Sequence, residues 1–415
     1  MKILNFGSCN IDFVYSLNHI VNAGETETSG EMNIFPGGKG LNQSIALARA
    51  GAKVFHAGCV GEDGELLTDI LRKNGVDISN VEKVSGKNGH AIIQVSKKGE
   101  NSIVIYPGSN RMITRDMVEL ALEEFSGGDI VLLQNEINQL DYIVQKAYEK
   151  KMCIVFNPSP CDSVAKSVDL NKITYLVLNE IEAQMLTGCK EPELSLKYFA
   201  EKYSSLKVVL TLGKNGCIFY NGEREIYQSA YSVNVVDTTA AGDTFTGFFI
   251  ANAAMGVDEA KALKIASAAA AIAVSRNGAA SSIPTSDEVL SVINSMKTAK
   301  SDKCAESLES KIEKYTEQNL KTASLCNLAK ALGYSQAYTS GLVKSLTGKP
   351  FSVLIQQKRC SAAARLLVET DLSISEIISS VGYENESFFR NVFREKYGKN
   401  MLEYRKFIRG AENEY

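Results

Sequence analysis

The sequence predicts an α/β fold with a doubly wound, mainly parallel sheet and a small β-lid, followed by an all-α domain with two helix-turn-helix motifs. Three observations support this prediction. Short apolar runs alternate with helical patterns over residues 1–295, two stretches near 12–35 and 90–107 interrupt that alternation, and the pattern after residue 308 is helical throughout. Strands that alternate with helices are typical of parallel sheets with right-handed crossovers.

The central sheet is predicted from short apolar runs that have the length of buried strands. These runs lie at 3–7, 54–57, 130–133, 153–156, 175–178 and 208–212. Helical patterns lie between them, at 42–50, 66–74 and 141–150, and an alanine-rich stretch at 258–277 indicates a buried helix. The two interrupting stretches are predicted to be antiparallel strands, with turns at 22–24 and 98–100, that form the lid.

The composition is that of an ordinary globular protein, with 415 residues, 45% hydrophobic and 22% charged residues, and a net charge of −3. Nine cysteines are scattered singly without a CxxC pair. This spacing argues against a disulfide framework or a zinc site and for a reducing compartment. The sequence shows neither the apolar core of a signal peptide nor a run long enough to span a membrane. We therefore expect a cytoplasmic protein with no membrane partner.

The chain is predicted to consist of one domain over 1–295, a polar linker over 296–308 and a helical domain over 309–410. In the last domain, 325–348 and 374–398 resemble each other: each has an amphipathic helix, a Gly-Tyr turn (Gly333-Tyr334 or Gly382-Tyr383) and a second helix. This arrangement can place the second helix in a major groove. Residues 301–415 carry 17 basic and 14 acidic residues, an excess too small to establish a nucleic-acid partner by itself.

Residues 237–245 (Asp-Thr-Thr-Ala-Ala-Gly-Asp-Thr-Phe) follow a β-branched run and open a long apolar helix. The small side chains of Ala240, Ala241 and Gly242 leave the amides of the helix N-terminus bare, and the helix dipole adds partial positive charge. Such a site suits a phosphoryl group. Asp243 follows directly and is placed to take a proton from an attacking hydroxyl. An ordinary helix start has the same pattern, so this stretch alone leaves both interpretations open.

Five separated motifs agree, in order, with ribokinase-like (PfkB-type) carbohydrate kinases, which the first 295 residues resemble over their whole length. They are Gly7-Ser8-Cys9-Asn10-Ile11-Asp12, Gly37-Gly38-Lys39-Gly40-Leu41-Asn42-Gln43, Asn179-Glu180-Ile181-Glu182, Thr211-Leu212-Gly213-Lys214-Asn215-Gly216, and 237–245. The resemblance implies ATP-dependent phosphorylation of a sugar hydroxyl, with ribose or a related pentose as substrate.

The resemblance also implies which residues form the site. Asp243 would be the general base, and the amides around Ala241 and Gly242 would stabilise charge on the transferred phosphoryl group. Sugar-binding residues would be Asn10, Asp12, Gly38, Lys39, Gly40, Asn42 and Glu136, with Asp243. Leu41 replaces a usually smaller residue and His90 lies in the lid that covers the sugar. A different pentose, a deoxyribose or a nucleoside therefore stays open.

ATP, Mg²⁺ and K⁺ are the cofactors that the resemblance implies, and oxygen ligands suit both cations. The nucleotide would lie against Asn179, Thr211, Gly213, Gly216, Gly242 and Ser267. Asn179 and Glu182 would hold Mg²⁺, often through water. K⁺ would be bound by Asp237, Ser282 and the carbonyls of Thr239, Ala273, Arg276 and Gly278. Lid strands in the family often pair between subunits, which implies a homodimer.

Residues 309–410 resemble an AraC-type DNA-binding domain through Leu328-Ala329-Lys330-Ala331-Leu332-Gly333-Tyr334-Ser335, Ile374-Ser375-Glu376-Ile377 and Val381-Gly382-Tyr383. The resemblance implies recognition helices at 335–346 and 386–397. DNA contacts would come from Gln336, Tyr338, Thr339, Ser340, Lys344, Asn385, Ser387, Arg390, Asn391 and Arg394.

Two features of these helices depart from a simple DNA-contact surface. Gly341 stands where the family usually has a basic residue; glycine costs a helix about 1 kcal/mol relative to alanine, and the missing charge weakens phosphate binding. Phe388, Phe389 and Phe393 are predicted to lie in the core. The sequence thus predicts a sugar kinase fused to a DNA-binding regulator that acts on an operator. It leaves open a regulator whose kinase fold only senses sugar, a C-terminal helical bundle used for dimerisation or protein contacts, and a kinase with an inert tail.

Overall fold

The computed structural model describes the backbone of residues 1–302, 308–332 and 336–411. Within these ranges it describes the side chains except at 295–302, 308–310, 337, 338, 345 and 409–411. The chain divides into two compact units, Met1–Lys297 and Thr298–Tyr415. The predicted turn at 333–335, part of the predicted linker and the Tyr338 side chain lie outside the described residues.

The strands of the first unit belong to two sheets. They are β1 Ile3–Phe6, β2 Asn10–Leu17, β3 Glu31–Gly37, β4 Val54–Val60, β5 Asp77–Lys83, β6 Gly89–Ser96, β7 Asn101–Tyr106, β8 Ile130–Gln134, β9 Cys153–Asn157, β10 Tyr175–Asn179, β11 Lys207–Thr211, β12 Cys217–Tyr220 and β13 Glu225–Gln228. The larger sheet has the order β13-β12-β11-β10-β9-β8-β1-β4-β5. It is parallel from β5 to β11, and β12 and β13 add an antiparallel edge. All six predicted strands are present, and the predicted fold class is confirmed.

Helices cover this sheet. They are α1 Lys39–Arg49, α2 Glu65–Lys73, α3 Arg115–Glu123, α4 Leu140–Glu149, α5 Ser163–Ser167, α6 Glu180–Thr187, α7 Pro192–Lys202, α8 Ala241–Ala254, α9 Glu259–Val274 and α10 Ser286–Asp302. The predicted alanine-rich helix is α9, whose Ala266, Ala268 and Ala269 are fully buried. Helix α10 continues to Asp302, so the first part of the predicted linker is helical.

The lid is a four-stranded sheet with the order β3-β2-β6-β7. Its outer pairs, β2–β3 and β6–β7, are antiparallel, but β2 and β6 run parallel. The two predicted pairs of antiparallel strands are therefore confirmed, and the parallel pairing of β2 with β6 that joins them was not predicted. The chain passes through α1, β4, α2 and β5 before it returns as β6, and such a long crossover brings a strand back in the same direction.

Helices α1 and α8 cross at a glycine. A Cβ built at Gly247 would lie 2.4 Å from the Cβ of Ala46 and 2.9 Å from the backbone nitrogen of Leu47. The two helices can approach this closely only because Gly247 has no side chain. Phe245, Phe248 and Phe249 of α8 are buried around this crossing. The start of α8 is therefore held against the first turns of α1.

The described part of the second unit is helical. Its helices after α10 are α11 Leu308–Gln318, α12 Leu325–Leu332, α13 Gln336–Thr347, α14 Phe351–Glu369, α15 Ile374–Ser380, α16 Glu386–Tyr397 and α17 Met401–Ala411. Long helix α14 contributes Phe351 and Ile355 to one core, and Ala363 and Leu367 to a second. Each core includes one of the two predicted helix pairs, α12–α13 or α15–α16.

The glycine turn of the second helix pair is under tight steric constraint. Gly382 has a φ of 88°, and a Cβ there would lie 2.3 Å from the carbonyl oxygen of Lys321. Arg359 donates to the carbonyls of Leu320 and Lys321, at 2.9 and 3.1 Å. The turn is thus fixed against the same backbone that Arg359 binds. Among the described residues, no helix is long and apolar enough to cross a membrane.

Candidate active site

The loop that begins α1 lies directly against the end of β1. A Cβ at Gly40 would lie 2.3 Å from the backbone nitrogen of Ser8, and a Cβ at Gly7 would lie 2.4 Å from the Cα of Gly40. Gly38 has a φ of 94°, a conformation that glycine adopts readily. These glycines bring the loop over the carboxyl edge of the sheet, where α/β proteins bind ligands.

A polar cavity of about 420 Å³ opens at this edge. Most of the predicted sugar-binding residues line it: Asn10, Asp12, Gly38, Lys39, Asn42, Glu136 and Asp243. Gly40 does not; it is buried against Ser8 beneath the cavity. Asn10 and Asp12 lie at the start of the lid strand β2.

The lid covers this cavity with an apolar surface formed by Ala91, Ile93, Ile103 and Ile105. Neighbouring side chains of a strand point to opposite faces, so His90 points away from the cavity. Its ring lies 5.9 Å from that of Phe13 and 5.1 Å from that of Tyr106. The expectation that His90 bears on sugar choice was therefore wrong, and the alternation along β6 is the reason.

The carboxyl groups of the cavity are in different environments. Burial raises the pKa of Asp12 to about 7, and the charge of Glu136 adds to that rise. Glu136 Oε2 accepts hydrogen bonds from Ser8 Oγ and, at 3.0 Å, from the backbone nitrogen of Lys39. Burial disfavours the Lys39 ammonium, but the carboxylates of Asp243, Glu136 and Glu182 outweigh it and raise the pKa of Lys39. The cavity thus contains a cation among acids.

Asp243 lies in the first turn of α8 and is 7% exposed. Its Oδ2 accepts a hydrogen bond from Asn42 Nδ2 at 3.1 Å, and its Oδ1 accepts one from Gln43 Nε2 at 2.9 Å. Two neutral donors on α1 therefore fix both oxygens of the carboxylate. Asn42 Oδ1 is buried without a protein partner, so it is available to a ligand donor in the cavity.

A second, more apolar cavity of about 560 Å³ adjoins the first. Gly213, Gly216 and Ser267, predicted to contact the nucleotide, line it. Thr211, Thr238 and Gly242 line both cavities. The N-terminus of α8 therefore lies where the two cavities meet. Ala240, directly before this helix, has a φ of 58°, a left-handed conformation that is uncommon for alanine.

Asn179 and Glu182, the predicted Mg²⁺ ligands, form a capping box at the start of α6. Asn179 Oδ1 accepts from the Glu182 nitrogen at 2.9 Å, and Glu182 Oε2 accepts from the Asn179 nitrogen at 3.0 Å. Both residues line the polar cavity. These bonds occupy one oxygen of each side chain, so binding of Mg²⁺ through water molecules fits the pair better than a fully direct ligand set.

The predicted K⁺ ligands lie on two segments of the chain, 237–239 and 273–282. The Asp237 side chain is hydrogen-bonded to the backbone of both segments. Its Oδ1 accepts from the backbone nitrogen of Thr239 at 2.9 Å, and its Oδ2 accepts from that of Gly278 at 3.0 Å. Burial opposes its charge, but these bonds hold the pKa of Asp237 below its usual value. Arg276 pairs with Glu288 at 2.6 Å, which leaves only its carbonyl for a cation. Backbone carbonyl oxygens of the kind this set contributes are ligands that K⁺ binds in proteins.

In the second unit, α13 and α16 match the predicted recognition helices. Gln336 and Lys344 are exposed on α13, and Ser340 is half-buried. Thr339, in contrast, is fully buried. A fully buried side chain cannot reach DNA, so the prediction that the Thr339 side chain contacts DNA was wrong.

Exposure on α16 follows the prediction more closely. Ser387, Asn391 and Arg394 are exposed and Arg390 is half-buried, with a 2.9 Å ion pair to Glu386. Asn385 caps the helix, because its Oδ1 accepts from the Phe388 nitrogen at 3.0 Å; only its amide nitrogen is then available to DNA. Of the aromatic residues predicted in the core, Phe389 and Phe393 are fully buried, but Phe388 is 50% exposed.

Sequence reasoning assigned no role to several residues of the site. Gln43 stands next to Asn42 in the glycine motif and holds Asp243. Ser8 donates to Glu136. The apolar lid residues could have been found from the alternation in β6 and β7, whereas nothing in the sequence indicates which partner Gln43 meets 200 residues later.

Residues 1–286 match the family model described as pfkB family carbohydrate kinase. The first unit is also 36% identical to the ribokinase of Bacillus subtilis over 292 residues, which covers 69% of this chain and 98% of that enzyme. The chain belongs to the pfkB family of carbohydrate kinases. The family expected from the sequence motifs is thus confirmed.

Solved structures agree with this assignment to the pfkB family. The Arabidopsis thaliana ribokinase complexed with ribose and ATP aligns with a TM-score of 0.64 and 29% identity, over 70% of this chain and 98% of that one. The Cryptococcus neoformans ribokinase in complex with ADP aligns with a TM-score of 0.63 and 31% identity, over 70% and 99%. Residues 328–406 match a helix-turn-helix domain model. This pfkB-family sugar kinase is therefore fused to an AraC-type helix-turn-helix domain.

The raised pKa of Asp12 predicts how its carboxyl group affects stability. Because the pKa is about 7 in the folded protein against 3.8 ordinarily, the folded state binds this proton more tightly than the unfolded chain does. Stability contributed by the protonated group is therefore fully present below pH 3.8 and is lost as the pH rises from there to about 7. The Asn side chain in Asp12→Asn cannot ionise. Measured without sugar, the melting temperature of this variant should therefore rise relative to that of wild type as the pH increases from 5 to 8.

This comparison has its own control. Glu136→Gln removes the neighbouring charge but not the burial. When both proteins carry Glu136→Gln, the pH-dependent difference in melting temperature between those with and without Asp12→Asn should become smaller but should not vanish. A difference in melting temperature that is constant from pH 5 to pH 8 would show that Asp12 does not titrate in this range.

Proposed function

We propose that the first unit transfers the γ-phosphoryl group of ATP to a hydroxyl of ribose or a related pentose. The observation that carries this proposal is the position of Asp243 on the wall of the polar cavity, in the first turn of a helix whose Gly242 also lines the second cavity. A sugar in the first cavity and a nucleotide in the second would meet at that helix N-terminus. Proton acceptor and anion site would then lie side by side.

In this proposal Asp243 accepts the proton of the sugar hydroxyl as its oxygen attacks the γ-phosphorus. Backbone amides of Ala241, Gly242 and Asp243 stabilise the negative charge on the transferring group, and the dipole of α8 adds to that effect. The Lys39 ammonium lies among the cavity carboxylates and reduces their repulsion of the phosphates. Asn42 Oδ1, which has no protein partner, accepts from a sugar hydroxyl.

Mg²⁺ and K⁺ are part of the proposal. Asn179 and Glu182 would hold Mg²⁺ through water beside the phosphates, where it would neutralise their charge. Asp237, Ser282 and the carbonyls of Thr239, Ala273, Arg276 and Gly278 would hold K⁺. In that position K⁺ would strengthen the positive potential at the start of α8.

The shape of the polar cavity favours a small polyol. Glu136 and, on lid strand β2, Asn10 and Asp12 provide hydrogen-bonding groups, and lid strands β6 and β7 provide apolar contact. Relatives include both the ribokinase of Bacillus subtilis and, at 29% identity, the deoxyribokinase of Salmonella typhi. We therefore propose ribose as the first substrate to test and deoxyribose as the second.

For the second unit we propose sequence-specific binding to an operator and regulation of transcription. Exposed polar side chains lie along α16, and Lys344 is exposed on α13. Base contacts in a major groove require such side chains on the outer face of a recognition helix. The ligand of the kinase unit is then the candidate effector.

We also propose a homodimer formed through the lid. Its surface away from the sugar cavity exposes Ile34, Ile92, Val104 and Tyr106, each between 42% and 65%. A contiguous apolar surface of this kind marks an interaction site. Light scattering should give twice the chain mass of 45.2 kDa; a monomer at micromolar concentration would contradict this proposal.

The catalytic proposal predicts the behaviour of Asp243→Asn. With Mg-ATP, K⁺ and ribose, ADP release should fall by at least about 100-fold, because a general base of this kind contributes 10² to 10⁴ in rate. Ribose binding measured by calorimetry should be kept, since Asn retains the shape of the side chain.

A panel of pentoses, hexoses and nucleosides tests the substrate class in the same assay. Exposed Asp116→Asn serves as the matched control and should turn over like wild type. If Asp243→Asn retains wild-type turnover, Asp243 is not the base. If no compound is phosphorylated but pentoses still raise the melting temperature, the first unit is a sugar sensor.

The DNA-binding proposal predicts that a positive charge at position 341 increases the affinity for DNA. Gly341 is exposed in α13, and no described atom beyond its chain neighbours and the adjacent backbone of α13 lies within 4 Å of a Cβ built there, so a side chain can be added without a steric clash with them. Gly341→Lys should bind a random DNA duplex more tightly in fluorescence anisotropy. One additional phosphate contact should steepen the dependence of log affinity on log salt by about 0.9.

Gly341→Ala is the control for this gain. It improves helix propensity without a charge, so it should leave the salt slope at the wild-type value. Equal affinity and equal slope for the Lys and Ala variants would show that this face of α13 does not approach the DNA backbone.

A further inference from the structure

A chain of buried side-chain amides runs from the backbone of Gly40 to the carboxylate of Asp243. Asn5 Nδ2 donates to the Gly40 carbonyl at 2.8 Å. Gln134 Nε2 donates to Asn5 Oδ1 at 2.9 Å and to Gln43 Oε1 at 2.7 Å. Gln43 Nε2 then donates to Asp243 Oδ1 at 2.9 Å. Asn5 and Gln43 are fully buried and Gln134 is 1% exposed, so these bonds are shielded from solvent.

Each amide in this chain fixes the orientation of the next. Asn5 Nδ2 also donates to Ser44 Oγ at 2.8 Å, so its oxygen must face Gln134. Gln134 uses its amide nitrogen on two oxygens, and one of these belongs to Gln43. A flipped Gln43 would place its oxygen against the Asp243 carboxylate and its NH₂ group against that of Gln134. Buried donors and acceptors would then be left unpaired, which is costly.

The other contacts of Gln43 restrict it further. Its amide nitrogen also donates to Asn157 Oδ1 at 3.1 Å, and Asn157 is held by a 2.9 Å bond to the Val177 carbonyl. Both donor hydrogens and the acceptor of the Gln43 amide are therefore in use. Gln43 connects β8, β9 and α1 to the start of α8.

This arrangement bears on the geometry of proton transfer. Asn42 and Gln43 bind different oxygens of Asp243, so together they set the plane of its carboxylate. The charged groups near this carboxylate are Lys39 and, around Lys39, Glu136 and Glu182. None of them donates a hydrogen bond that would fix Asp243 among the contacts described, so the amides are left to orient it.

We propose that Gln43 is a positioning residue that holds the Asp243 carboxylate in the orientation for proton transfer, and that Gln134 and Asn5 hold Gln43. This inference rests on the proposed function, in which Asp243 is the base. It assigns to Gln43 an effect on the chemical step and none on the binding of sugar or ATP.

The test compares steady-state kinetics with ribose and Mg-ATP for Gln43→Met, Gln134→Met and wild type. Gln43→Met should lower kcat by about 10- to 100-fold, since a misplacement near 1 Å costs on the order of 100-fold, with both KM values within about threefold. Gln134→Met should lower kcat less. Gln43→Glu places a second acid against Asp243, so the acid limb of its kcat–pH profile should move to higher pH.

Asn252→Leu is the matched control. Asn252 is also a buried amide of this unit, 7% exposed, and donates to the Phe248 carbonyl at 2.8 Å within α8. It should keep wild-type kcat even if its melting temperature falls. If Gln43→Met does not fold, Gln134→Met and the pH profile of Gln43→Glu decide by the same criteria.

The inference is overturned if Gln43→Met keeps wild-type kcat, if its KM values change as much as its kcat, or if Asn252→Leu loses kcat to the same extent as Gln43→Met. Asp243→Asn, measured in the same series, separates the two proposals. If Asp243→Asn is active, the proposed base is wrong. If Asp243→Asn is inactive while Gln43→Met is fully active, only the positioning role fails.

Discussion

The crossing of α1 and α8 at Gly247 and Ala46 is the contact on which the geometry of the site depends. The Cβ of Ala46 and a Cβ built at Gly247 would be 2.4 Å apart, so the helices touch through their backbones. Asp243 lies one turn before Gly247, and Asn42 and Gln43 lie about one turn before Ala46. Close packing of the two helices at Gly247 and Ala46 therefore places the donors of Gln43 and Asn42, one turn away, at 2.9 and 3.1 Å from the Asp243 carboxylate.

Glycine acts in the same way elsewhere in the first unit. Gly7 and Gly40 allow the loop before α1 to rest on the end of β1, which brings the backbone of that loop to the carboxyl edge of the sheet. The buried amides of Asn5, Gln134 and Gln43 then connect that loop to Asp243. Steric contact places the elements, and directional hydrogen bonds orient the Asp243 carboxylate.

The strands and motifs of this protein were predictable because they depend on local pattern. Apolar runs identified six strands of the sheet, and the order of five motifs identified the family. Errors arose where tertiary context decides. His90 and Ala91 are adjacent but face opposite sides of the lid, Thr339 is buried although its neighbours are polar, and Phe388 is exposed although Phe389 is not. The role of Gln43 depends on partners distant in sequence, so no local pattern reveals it.

A crystal structure with ribose and a non-hydrolysable ATP analogue would test the central claim, that the two cavities meet at Asp243 and the N-terminus of α8. We expect a sugar hydroxyl within hydrogen-bond distance of the Asp243 carboxylate. We also expect the terminal phosphoryl group on the amides of Ala241, Gly242 and Asp243. A ternary complex in which the phosphates bind away from α8, or in which the ribose hydroxyls contact Asp12 but not Asp243, would contradict it.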